Sequence, residues 1–243
     1  MKDLPWILIA GWAYPASALM DLRNLLPGSA LAVALPELRA AGRAMPSTAR
    51  VLSTYAQGLR ALIAQQGGQA VVLGWSMGGM VALETASYYP QMIRGLVLMA
   101  STPKFCAADD FAPGIPSSHL RALQLGLRRN RAQALAGFYQ LAAAPWPALP
   151  APPEPLADAA WQDELAAGLD YLQRTDLRPG LSGIGASVLI LQGREDRVVP
   201  WQAAAFINRQ LPRSRLCLYA NQGHDLPQRS PGQLLADLRC FLV

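Results

Sequence analysis

The chain has 243 residues, 52% hydrophobic and 15% charged, a balance that argues against disorder and supplies a sizeable core without covalent staples. Three widely spaced cysteines (Cys106, Cys217, Cys240) with no C-x-x-C argue against a disulfide framework or a cysteine zinc site. The net charge of +5, nearly all its positive side arginine, admits an acidic partner but lacks the dense Lys/Arg run of a nucleic-acid binder, and no apolar stretch approaches the ~20 residues of a membrane span.

The chain opens Met1-Lys2-Asp3-Leu4-Pro5-Trp6. An acid and a proline stand where a signal peptide needs an unbroken apolar segment, so a cytoplasmic protein is expected. Apolar runs at 4–10, 31–36, 70–75, 95–100, 187–193 and 215–220 read as strands, several of them apolar almost throughout. Strands buried on both faces have that character. Helical patterns lie between them at 48–65, 77–89, 201–211 and 231–241. The alternation predicts an α/β fold with a doubly wound, mostly parallel sheet.

The alternation stops between 104 and 182. That stretch predicts a helix over 117–142 and another over 158–174. Between them stand Pro145, Pro147, Pro150, Pro152, Pro153 and Pro155, which make an extended connector. The expected organisation is a core of 1–103 and 183–243 with 104–182 inserted as a helical lid.

The chemistry centres on Gly74-Trp75-Ser76-Met77-Gly78-Gly79, a G-x-S-x-G motif that follows an apolar strand and opens a helix. A serine on so sharp a turn takes a strained backbone conformation, and its neighbours two residues away must be small. The helix start behind Ser76 offers free N–H groups to a developing oxyanion. A serine needs a base, and the chain holds only two histidines. His224 follows the last strand, on the rim where Ser76 is expected. His119 lies in the insertion and reads as a residue of its surface or of a helix N-cap region, with a place near the pocket as the alternative. The base needs an orienting carboxylate at a strand end. Glu195 and Asp196 both qualify by position, Asp196 being favoured, and Asp225 is a rival. Ser76, Asp196, His224 is then the nucleophile–acid–base order of a hydrolase elbow. Two backbone donors are expected for the oxyanion, Met77 and, after Gly11, Trp12. Trp12 and Trp75, with Phe138 of the insertion, are expected to wall an apolar substrate pocket; the alternative is that the tryptophans are core aromatics. No phosphate-binding glycine loop and no histidine cluster occurs, so neither a cofactor nor a metal is expected.

These features resemble the α/β-hydrolase superfamily over nearly the whole chain. Within it, the chain resembles the pimeloyl-carrier methyl ester esterases. That resemblance is carried by Gly74–Gly79, Ala100–Phe105, Asp109–Pro116, Gly168–Arg178, Asp196–Pro200 and Gly223-His224. It implies a metal-free esterase with Ser76, Asp196 and His224 in the three catalytic roles and Trp12 and Met77 as oxyanion donors; a monomer is expected. It also implies an acyl-carrier protein as partner, recognised through arginines of the lid. Two departures stand out. Ala10-Gly11 replaces the family's His-Gly after the first strand. The lid arginines fall out of the family's register; Arg121, Arg128, Arg129 and Arg131 are the candidates here, of which Arg121, Arg128 and Arg131 could share one broad helix face, for carrier docking or simply as a solvated surface.

Overall fold

The computed structural model describes residues 4–45, 52–152, 155 and 160–242. In chain order its elements are β1 (Trp6–Ile9), a 3-10 turn, α1 (Met20–Leu25), β2 (Ala30–Val33), α2 (Leu35–Arg43), α3 (Thr54–Gln65), β3 (Ala70–Trp75), α4 (Met77–Tyr88) and β4 (Ile93–Met99). Then follow α5 (Ser117–Arg129), α6 (Arg131–Ala143), α7 (Ala160–Arg174), β5 (Ser187–Gly193), α8 (Trp201–Gln210), β6 (Ser214–Tyr219), α9 (Leu226–Arg229) and α10 (Pro231–Leu242). The six strands form one sheet in the order β2-β1-β3-β4-β5-β6, every pair parallel.

Burial follows from that order. All six residues of β3 are buried, because the strand is central and covered on both faces. The edge strands β2 and β6 are only partly buried. The chain runs outward from β1 to β2, then returns to lay β3 on the other side of β1. The strand order therefore reverses between β1 and β3, and the ends of those two strands frame a crevice. Helix α4 starts there and is buried from Met77 to Ala86.

Several local expectations need correction. The run at 31–36 is a strand only to Val33; Leu35 already opens α2, with Pro36 in the first turn and the Glu37 side chain accepting from the Ala34 amide at 3.1 Å. Proline suits a helix start and cannot extend a strand ladder, so the strand ends before it. The helix expected over 48–65 begins at Thr54, where Ser53 caps it, its Oγ accepting from the Ala56 amide; residues 48–51 lie outside the described residues, as do Pro153 and residues 158–159. The single helix expected over 117–142 is two. Asn130 has extended backbone, and its side chain accepts from the Gln133 amide at 3.0 Å, so it ends α5 and caps α6. The short helices α1 and α2 are not among the expected elements; α1 is only six residues long, and α2 directly follows the run read as a strand.

Between β4 and β5, α5, α6 and α7 sit beside the strand ends. Helix α7 is tied to the sheet domain by the Tyr171 hydroxyl, which donates to Glu84 Oε2 at 2.9 Å, and by the Arg39–Glu164 ion pair. Among the described residues no helix is long and apolar enough to cross a membrane.

Candidate active site

Ser76 sits between β3 and α4 with φ 57° and ψ −120°, a left-handed conformation that a side chain rarely adopts. The strain is held from both sides. The Ser76 amide donates to the Met99 carbonyl at 2.8 Å, and its own carbonyl accepts from Ser101 Oγ and the Gly79 amide. A Cβ on Gly74 would stand 2.5 Å from the Gly78 carbonyl and the Gly79 backbone; one on Gly78 would stand 2.5 Å from the Ile9 carbonyl. The turn closes only because both positions lack a side chain.

His224 lies after β6 and is 1% exposed. Its Nε2 is 2.9 Å from Ser76 Oγ, and its Nδ1 is 2.9 Å from Asp196 Oδ2. The Asp196 carboxylate accepts from the Val198 and Val199 amides through Oδ1, both at 2.8 Å, and from Gln192 Nε2 through Oδ2 at 3.0 Å. With three N–H donors already aimed at it, this carboxylate stands as an acceptor. The proton of the Asp196–His224 contact therefore belongs to Nδ1, which leaves Nε2 to accept from the serine hydroxyl. Asp196 and His224 are both buried, so the hydrogen bonds run in a low-dielectric setting.

The two rival carboxylates are engaged elsewhere. Glu195 Oε2 accepts from the Gln222 amide, and Asp225 Oδ2 accepts from Arg229 Nε at 2.7 Å. Burial pushes the Asp225 carboxyl above its ordinary range, with Arg229 opposing the shift. Asp225 and Arg229 thus fasten the histidine loop without facing the serine.

The loop after β1 turns at Ala13, whose φ is 62°. Ala10 is buried, with its amide on the Val33 carbonyl at 3.0 Å, so alanine is accommodated there. Gly11 lets that loop approach: a Cβ at this position would lie 3.3 Å from Ser76 Cβ. Among the described residues no protein acceptor takes the amides of Trp12 or Met77. Met77 is the first residue of α4, where helix geometry leaves the amide free.

A cavity of about 350 Å³ opens at Ser76. Trp12, Phe138, Leu120, Leu123, Leu169 and Leu172 give it an apolar wall, to which α5, α6 and α7 all contribute. Trp12 and Phe138 meet edge to face at 4.9 Å. The Trp12 indole is fixed by α7, its Nε1 donating to the Leu165 carbonyl at 2.9 Å.

Trp75 does not wall this cavity, contrary to expectation. It is fully buried, packs on Tyr14 at 4.2 Å, and donates from Nε1 to the His224 carbonyl at 2.9 Å. Its side chain is not among those that line the cavity, and its hydrogen bond braces the histidine loop. The arginines also divide differently from the expected single face. Arg121, Arg128 and Arg129 stand exposed on α5, whereas Arg131 opens α6 beyond the Asn130 break. Arg128 and Arg131 border a second, more polar cleft of about 410 Å³ that Asp163 and Asp170 also line. His119 lies in the first turn of α5 and borders the cavity at Ser76.

Sequence reasoning missed four supports. Gln192 holds Asp196, Tyr14 lies under Trp75, and the Ala142 carbonyl accepts from the His224 and Asp225 amides. The fourth is Gly168, where a Cβ would stand 2.5 Å from the Trp12 ring. Gln192, a polar residue inside a buried strand run, carried a readable signal; the others are contacts between distant segments.

A serine on a strained strand-to-helix turn, at the switch point of a parallel sheet, is the arrangement of an α/β hydrolase. The alpha/beta hydrolase family model matches residues 6–238, and the chain belongs to that family. It is similar over most of its length to a Klebsiella pneumoniae protein named pimeloyl-[acyl-carrier protein] methyl ester esterase, 31% identical over 233 residues, covering 91% of this chain and 87% of that one. A Nitrosomonas europaea protein of the same name is 35% identical over 169 residues, 65% of each chain. Among solved structures, an esterase from Exiguobacterium antarcticum shares the fold with a TM-score of 0.79 at 21% identity, covering 100% of this chain and 93% of that one.

Proposed function

We propose that this carboxylic ester hydrolase removes the methyl group from the methyl ester of pimeloyl-[acyl-carrier protein], releasing methanol. The observation that carries the reading is the Ser76–His224–Asp196 line, two contacts of 2.9 Å, whose serine lines an apolar cavity of about 350 Å³. The names of relatives that align over most of the chain support the substrate.

The arrangement can run the reaction without an added group. Ser76 Oγ attacks the ester carbonyl carbon as His224 Nε2 takes its proton. The Trp12 and Met77 amides receive the oxyanion, and loss of one such donor typically costs about 10²–10³ in rate. The carbon–methoxy bond breaks, and the imidazolium returns its proton to the departing methoxide. Water, deprotonated by His224, then attacks the acyl-serine; Ser76 leaves and regains a proton. Asp196, fixed by Gln192 and two backbone amides, keeps the imidazole in the required tautomer throughout. The acyl chain lies along the apolar wall while the carrier stays outside. There Arg121, Arg128 and Arg129, exposed on α5, meet its acidic surface.

The test is hydrolysis of methyl-pimeloyl-carrier by the purified chain, followed by mass as the loss of one methylene unit. Turnover that falls as salt screens the arginines is expected. Hydrolysis of small neutral esters alone, with the carrier-bound ester untouched, would leave a general esterase and remove the carrier from the account. Complementation of a strain lacking its pimeloyl esterase on biotin-free medium checks the same reading in cells.

A further inference from the structure

The cavity at Ser76 is chemically lopsided. Its wall is apolar apart from Ser76, His119, Gln133 and Arg197, and among the described residues no carboxylate lines it. Arg197 is its one charged lining residue, and Arg197, His119 and Gln133 are all exposed, whereas Ser76 is buried at 8%. The lining thus has exposed polar groups on three separate segments, while Ser76 lies in its buried part. Arg197 follows directly on Asp196, whose carboxylate binds the Val198 and Val199 amides, so the turn that presents the guanidinium is rigid. Among the described residues no acceptor holds that guanidinium. His119 lies in the first turn of α5, which has no acidic residue and no side-chain cap, so the positive end of the helix dipole adds to the same region.

We infer that Arg197, exposed on the lining of this cavity, forms a subsite for an anionic oxygen group of the acyl substrate, with His119 as a further donor from the first turn of α5. The inference rests on Ser76 being the nucleophile and goes past it, to which substrates the cavity prefers. Two sources supply that chemistry: the phosphodiester of a carrier's pantetheine arm, or the free carboxylate of a dicarboxylic acid monoester. A guanidinium suits either through paired N–H donors.

The experiment compares four esters on wild-type, Arg197→Gln, Arg197→Lys and His119→Ala enzymes. They are the dimethyl and monomethyl esters of pimelic acid, and methyl-pimeloyl thioesters of pantetheine and of phosphopantetheine. The readout is the ratio of kcat/KM for each anionic ester to that of its neutral counterpart. Arg197→Gln is expected to lower one ratio roughly threefold to fivefold, the worth of one exposed charge pair. Arg197→Lys should recover part of it, His119→Ala should lower it less, and high salt should erase the wild-type preference. A fall confined to the phosphopantetheine pair assigns the subsite to the arm; a fall confined to the pimelate pair assigns it to a carboxylate. Ratios that stay at the wild-type value in Arg197→Gln overturn the inference, even where every ester is still hydrolysed through Ser76. Equal losses on neutral and anionic esters also overturn it, since they report a disturbed Asp196 turn and not a charge subsite. Loss of all hydrolysis in Ser76→Ala is the separate check on the nucleophile.

Discussion

Replacing Asp196 by asparagine tests the tautomer argument with little change in shape. Oδ1 accepts from two backbone amides at 2.8 Å, so the asparagine carbonyl must take that place. Its NH₂ group then occupies the position of Oδ2 and faces His224 Nδ1 and Gln192 Nε2. Gln192 has little freedom to turn its oxygen inward, because the same Nε2 also donates to the Gly193 and Val199 carbonyls. An NH₂ facing Nδ1 selects the imidazole with its proton on Nε2, which then points a hydrogen at Ser76 Oγ and cannot take one. The expected loss is about 10⁴ in kcat, or roughly 5.5 kcal/mol of transition-state stabilisation, with a near-native fold. Steady-state hydrolysis of a short p-nitrophenyl ester measures it, and thermal unfolding verifies the fold. Glu195→Gln, which alters a carboxylate bound to the Gln222 amide, serves as the control and should keep most of the activity. A folded Asp196→Asn enzyme within tenfold of wild-type would refute the assignment of the proton to Nδ1.

Gly168→Ala places a methyl group about 2.5 Å from the Trp12 ring, and the indole must shift along with the loop that carries its amide. A displacement near 1 Å at a catalytic group costs up to about 10²-fold, so kcat/KM should fall at least tenfold with helicity intact; wild-type kinetics would show that the Trp12 loop tolerates movement. Asp176 hydrogen-bonds to Arg178 and Lys104, and the Arg178 guanidinium above all holds its carboxyl well below the usual carboxylate range. A lowered folded-state value stabilises the native chain above the unfolded pKa and ceases to do so as pH falls through the folded one. Asp176→Asn should therefore cost about 2 kcal/mol at pH 7, with the gap to wild-type narrowing below about pH 4 in denaturant titrations. A gap that widens on acidification would reverse the sign.

The parts of this molecule that were legible in the sequence are those where one short segment carries the whole constraint. Continuous apolar runs marked the central strands, since burial on both faces leaves nothing polar to encode. The glycines around Ser76 marked the elbow because the steric demand is local. Contacts between distant segments left no such trace. Trp75 stands next to Ser76 in sequence, yet its indole reaches the His224 carbonyl 149 residues away. Gly168 reads as an ordinary weak helix residue until Trp12 is placed against it. The α5–α6 boundary was hidden for the opposite reason: Asn130 acts through a local cap, but the helical composition on both sides outweighed one polar residue.

Covalent labelling with a fluorophosphonate followed by peptide mapping tests most directly whether Ser76 Oγ is the attacking atom. Stoichiometric label on the Ser76 peptide, in step with loss of ester hydrolysis and absent from Ser76→Ala, is the predicted result. Inactivation with the label on another residue, or undiminished hydrolysis by Ser76→Ala, would contradict it.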